Sequence, residues 1–196
     1  MMLAAFAQPV FDSQRTFREL LQAMARPALP RTLPIVPPAP APIAPAAMAI
    51  LLTLCDSATS VWLQQPDEEA MRHLRFHAGV KLAQRPEEAD FALISDPGSM
   101  PALDVFARGD LRYPERSASL IIQVAAIQSP AAGKGGSQFA GPGIRDTATL
   151  HVEGLHADFW PQRAALAEQL PLGIDLYFVA AQQLACLPRT TRRLEG

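Results

Sequence analysis

The sequence predicts an α/β fold, a layered sandwich built on a mixed sheet. Helix-period and strand-period segments alternate along the chain. At 196 residues, 49% of them apolar, it can bury a full core as one domain spanning residues 1–196. The apolar run from Ile174 to Ala180 reads as a strand covered on both faces.

The elements follow in order. Asp12 or Ser13 can cap a first helix whose buried face is Phe17, Leu20, Leu21 and Met24, and Pro27 ends it. Residues 27–45 hold eight of the nineteen prolines and form an extended connector over the surface. Ala46 to Cys55 is a short helix, apolar on nearly all sides and therefore buried. Strands are expected at Val61 to Leu63, Leu74 to Ala78 and Ala89 to Ser95, and a short helix at Ser99 to Arg108 before Gly109. Ala118 to Gln128 is a long β-rich run, and the turn SPAAGKGG after it leads into a strand near Gln138 or Phe139, which suggests a hairpin. ATLHVEGL gives another strand, a helix starts near Pro161 and stops at Leu170-Pro171, and Ile174 to Ala180 is the final strand.

Composition narrows the function. A net charge of −2 with interspersed signs gives no footprint for nucleic acid or an anionic membrane surface. From Thr32 to Cys55 there is no charged residue, but six prolines break the stretch, so no membrane span is expected. The start, MMLAAFAQPVFDS, has neither a basic region nor an apolar stretch suited to export, which predicts a cytoplasmic chain. Cys55 and Cys186 sit in apolar text and read as core residues, with no CxxC spacing for metal or redox chemistry.

Motif by motif, catalysis finds little support. The Gly133 to Ser137 turn fails as a P-loop, because Lys134 precedes glycine and position 128 is glutamine. His73 and His77 share a face but no third ligand is apparent, and His151 and His156 read as surface histidines beside a helix cap. No GxSxG elbow is present. A pyridoxal phosphate enzyme needs a lysine for its Schiff base, and both lysines, Lys81 and Lys134, read as solvated. No catalytic residue, cofactor or metal ligand is therefore assigned.

Arginine, with fifteen copies, is the main cation, and its fork suits phosphate or carboxylate. Arg26 ends the first helix, while Arg189, Arg192 and Arg193 cluster near the other end with the hydroxyls of Thr190 and Thr191. If these ends meet in space they form an anion site; the plainer reading is a solvated tail or subunit contact. Asp12, Gln14 and Arg18 could also contact a ligand, although capping and i, i+4 pairing account for most of them.

The segments FDSQRTFRELLQAMARP, GPGI (Gly141 to Ile144), PLGIDL and LPRTT together resemble the H subunit family of the bacterial carbon–phosphorus lyase, PhnH, almost end to end from Phe11 to Arg192. The chain departs from that pattern at Pro114 to Leu120, where Ser117 and Ser119 occupy places that PE-x-GATL gives to glycine and threonine. The resemblance implies the fold of the large domain of pyridoxal phosphate transferases without the cofactor, a homodimer, and union with the G, I and J subunits in organic phosphonate catabolism. It implies an accessory subunit, not catalytic alone, of the complex that displaces adenine from MgATP by an alkylphosphonate to give ribose 1-alkylphosphonate 5-triphosphate. Such a subunit either shapes a phosphonate or nucleotide pocket, to which Arg26 and Arg189 contribute, or acts purely as scaffold. An independent pyridoxal phosphate enzyme is the third alternative.

Overall fold

The computed structural model describes residues 3–130 and 135–194; Gly133 and Lys134 of the glycine-lysine turn lie outside the described residues. Seven strands form the main sheet in the order β1 (Arg31–Thr32), β10 (Gln183–Leu187), β9 (Asp175–Ala180), β5 (Ser119–Gln123), β4 (Phe91–Ile94), β2 (Ser60–Leu63) and β3 (Lys81–Leu82). β10 alone runs against the other six, so the sheet is mixed. A smaller antiparallel sheet has the order β11 (Arg192–Arg193), β7 (Ser137–Ala140), β8 (Ala148–Glu153) and β6 (Ala126–Gln128).

Period-2 alternation divides the core into two halves. Ile121, Tyr177, Val179 and Cys186 face α1 (Pro9–Ala25), α2 (Pro45–Leu54) and α3 (Glu68–Ala78). Leu120, Ile122, Leu176, Phe178 and Leu187 face the small sheet and α4 (Phe159–Ala167). Helices, main sheet, and small sheet with α4 thus make three layers. The expected α2 is buried without a break from Ala46 to Leu51, as its lack of a polar face requires. β9 is central, and Leu176 to Ala180 are all buried. Both cysteines are free and buried, and burial pushes the Cys55 thiol up to about 12.

Several expectations are corrected. α1 begins at Pro9, favoured in a first helical turn, with Gln8 as cap; Asp12 lies inside, its carboxylate accepting from the Gln8 N–H at 2.8 Å. Its buried stripe is Asp12, Thr16, Leu20 and Ala23, which leaves Phe17 and Leu21 about half exposed. Leu74 to Ala78 is helical: Asp67 caps the N–H groups of Glu69 and Ala70, and Gly79 closes the other end in a left-handed conformation. Ser99 to Arg108 holds only one short 3₁₀ turn past Ser99, Leu103–Val105. The run from Ala118 breaks at Val124-Ala125, where the chain leaves the main sheet for the small one. β6 and β7 make no hairpin because β8 lies between them. β9 is not the last strand, since it turns at Ala181 into β10. α4 starts two residues before Pro161. The connector is pinned as well as extended: β1 is an edge strand, Leu33 and Ile43 are buried, and the Gln123 amide bonds both Ala44 and Pro42.

Candidate functional site

The motifs that stand out in the sequence converge at one place. After β10 the chain leaves the main sheet at Pro188 and joins the small sheet as β11, so LPRTT stitches the two layers together. GPGI packs between this crossing and the end of α1. A Cβ on Gly141 would sit 2.9 Å from the Thr190 carbonyl, and one on Gly143, at φ +85°, would overlap the Ala25 carbonyl and crowd the Pro27 ring. Only glycine allows that approach. PLGIDL joins from the other side: a Cβ on Gly173 would lie 3.1 Å from the Arg189 Cβ.

Asp175 holds the junction. It accepts the Arg189 backbone N–H at 2.8 Å, the Nη2 at 2.6 Å and the Nε at 3.4 Å, while Arg189 Nη1 donates to the Pro114 carbonyl. Both side chains are only 17% exposed, so this is a partly buried fork-to-fork ion pair. All three guanidinium nitrogens are engaged, and the Arg189 fork is already matched to a carboxylate within the chain. Pro114 opens the segment that departs from the family pattern, and Ser117 there has a buried hydroxyl with no hydrogen-bond partner among the described residues.

A cavity of about 630 Å³ shares Thr191 with this junction. Its wall combines Phe139, Ala164, Ala167, Leu170 and Leu187 with the charged residues Arg163, Glu168, Arg192 and Arg193. Arg163, on α4, is 5% exposed and Thr191 is 3% exposed. The Arg163 Nη2 donates to the carbonyls of Pro188 at 2.8 Å and Thr191 at 3.4 Å. Its Nε and the Thr191 Oγ1 have no hydrogen-bond partner among the described residues. Burial lowers the Arg163 pKa from its ordinary value; Asp175 opposes this, and the neighbouring Arg189 charge adds to it. This is a buried cation whose charge the protein only partly compensates. At the rim, Arg193 donates from Nε to the Ser137 hydroxyl and lies 5.5 Å over the Trp160 ring.

The other sequence candidates are placed as follows. Thr190 and Arg26 are exposed, and neither lines the cavity. Asp12, Gln14 and Arg18 lie on α1, with Asp12 buried in its capping contact and the other two exposed. At 1.5 Å per residue, Asp12 is about 20 Å along the helix from Arg26. The structure therefore joins Arg189 and Thr191 and leaves the Asp12 group apart. Sequence reasoning missed Arg163. Its signal was an arginine on the buried stripe of a helix, between Phe159 and Leu166 at i−4 and i+3.

Elsewhere, the His73 and His77 ring centres lie 4.4 Å apart on α3 with the rings tilted at 54°, and His77 Nε2 meets the Leu3 carbonyl at 3.1 Å. His156 and Asp158 stand 3.7 Å apart and well exposed. Among the described residues no three His, Cys, Asp or Glu side chains cluster to hold a metal ion. Lys81 is exposed on the edge strand β3. No described helix is long and apolar enough to cross a membrane.

A family model described as "Bacterial phosphonate metabolism protein (PhnH)" matches residues 4–193. The chain is similar to the alpha-D-ribose 1-methylphosphonate 5-triphosphate synthase subunit PhnH of Rhizobium meliloti (strain 1021): they are 36% identical over 192 residues, which cover 96% of this chain and 93% of that relative. It is also similar to a protein of Stutzerimonas stutzeri described as "Putative C-P lyase subunit protein HtxG", at 32% identity over 181 residues, or 91% of this chain and 84% of the relative.

Proposed function

The chain belongs to the bacterial phosphonate metabolism protein family PhnH, and we propose that it is a required, non-catalytic subunit of a carbon–phosphorus lyase assembly. In that role it supports the formation of ribose 1-alkylphosphonate 5-triphosphate from MgATP and an alkylphosphonate. It works in the cytoplasm, pairs as a homodimer and joins the G, I and J subunits. The observation that carries this reading is near full-length similarity to a relative named as a subunit of that synthase.

Two features of the molecule support it. The residues of the densest motifs are engaged in packing and in the Asp175–Arg189 pair, an arrangement that suits a subunit without a nucleophile of its own. Val10, Phe17 and Leu21, at i, i+7 and i+11 on α1, are 76%, 49% and 55% exposed, an apolar stripe suited to contact with another protein. The fold this reading carries is that of the large domain of pyridoxal phosphate transferases without the cofactor; the mixed, largely parallel main sheet is compatible with it, and exposed Lys81 is poorly placed to hold that cofactor.

The saturated guanidinium of Arg189 favours a packing role for that residue over a direct ligand contact. Adenine release from MgATP and methylphosphonate by the G, I and L subunits, with and without this chain, tests the proposal. Release that depends on the chain is expected. Equal release without it would sink the required role.

A further inference from the structure

We infer that the cavity between α4 and the C-terminal crossing is a binding site for an organic phosphorus oxyanion, with Arg163 and Thr191 as its floor and Arg193 at its mouth. The argument starts from unpaired polarity. A guanidinium that is 95% buried and whose Nε has no partner among the described residues is a costly thing to place in a protein interior. So is the hydroxyl of Thr191, a 97% buried residue, with no partner among the described residues, when a valine of the same shape would carry no such cost. Both residues line the same 630 Å³ cavity, which is within the size range of small-molecule sites.

Charge then sets the sign of the ligand. Arg163, Arg192 and Arg193 line the cavity against one acid, Glu168, so an anion is favoured. Arg163 is the cation that such a ligand would compensate, because Asp175, its nearest acidic influence, is already held by Arg189. Guanidinium groups with a hydroxyl suit a tetrahedral oxyanion, to which they donate from several directions. The apolar wall of Phe139, Leu170 and Leu187 favours an organic group on phosphorus over bare phosphate. A phosphonate and a nucleotide phosphate share this chemistry. The choice of a phosphonate probe rests on the function proposed above; the anion site does not.

The test is calorimetric titration of methylphosphonate into the full chain, with inorganic phosphate and MgATP as separate arms, for wild type, Thr191→Val and Arg193→Gln. Saturable binding is expected, weakened about tenfold in each variant. Phosphate should bind less tightly than methylphosphonate. MgATP that displaces methylphosphonate assigns the site to a phosphoryl chain; MgATP that does not displace it assigns the site to phosphonates. Thr191→Val should also raise the melting temperature in the absence of ligand, since it removes an unpaired buried hydroxyl, so weaker binding cannot be blamed on misfolding. No saturable binding up to roughly 10 mM overturns the assignment, as do variants that bind like wild type. Phosphate binding as tightly as methylphosphonate overturns the role of the apolar wall. Adenine release that requires the chain while methylphosphonate fails to bind would reject this site and leave the subunit role standing.

Discussion

Two neighbouring arginines, close enough for the charge of one to act on the other, have opposite circumstances. Arg189 has every nitrogen engaged, with Asp175 and Pro114 as partners, and it holds LPRTT against PLGIDL. Arg163 is more deeply buried, donates to two carbonyls, and has one nitrogen with no partner among the described residues, beside a cavity. The difference teaches that a dense sequence motif marks where backbones must meet, whereas capacity for a ligand lies where buried polarity is left incomplete.

The strongest way to break this comparison is Arg189→Ala, which leaves Asp175 as an uncompensated and largely buried carboxylate. Its unfolding free energy in urea should fall by about 3 kcal/mol. A loss below about 0.5 kcal/mol, the size of an ordinary surface change, would deny the pair its architectural role. Gly143→Ala comes next. The alanine must adopt φ +85° and push away the Ala25 carbonyl, at a cost of about 2 kcal/mol by the same assay. A neutral result would mean that GPGI is not fixed against α1.

His73 sharpens the comparison from a third position, since its Nε2 is buried with no partner among the described residues yet it does not line the cavity. Burial lowers its pKa from 6.5, the neighbouring His77 lowers it further, and Glu69 opposes them. A lowered folded-state pKa means that the unfolded chain takes up a proton first. Stability is therefore full above the unfolded value of 6.5 and declines as pH falls from there toward the folded value. Urea midpoints measured across that window should slope downward for wild type and flatten in His73→Leu. A slope unchanged by the substitution would assign it to other groups. The smallest effect on folding is expected from Phe17→Gln with Leu21→Gln, about 1 kcal/mol because half of each side chain is already in solvent and glutamine suits a helix. The same double variant should co-purify poorly with the other subunits, and normal co-purification would remove the α1 stripe from the assembly.

Much of the main sheet was legible because its strands are fully apolar or alternate in period 2, as at Leu120 to Ile122 and Leu176 to Val179. Leu74 to Ala78 reads as a strand in a short window, since the helix signal of α3 lies in its caps, Asp67 and Gly79, at either end. The face of α1 was rotated for a related reason: small Ala23 and polar Thr16 pack inward while Phe17 and Leu21 face out, the opposite of what hydrophobicity alone dictates. β10 was hidden by the glutamine that opens it, and its pairing with β9 is a tertiary fact no local window contains. At the site, Arg189 and Thr191 were visible in the sequence, and Arg163 was not, since its importance depends on a cavity formed by residues some 30 positions away along the chain.

The most direct test is reconstitution of adenine release from MgATP and methylphosphonate by the G, I and L subunits in three forms: without this chain, with wild type, and with Thr191→Val. The account predicts background release without the chain, full release with wild type, and about tenfold less with Thr191→Val at equal incorporation. Full release in the absence of the chain would contradict it.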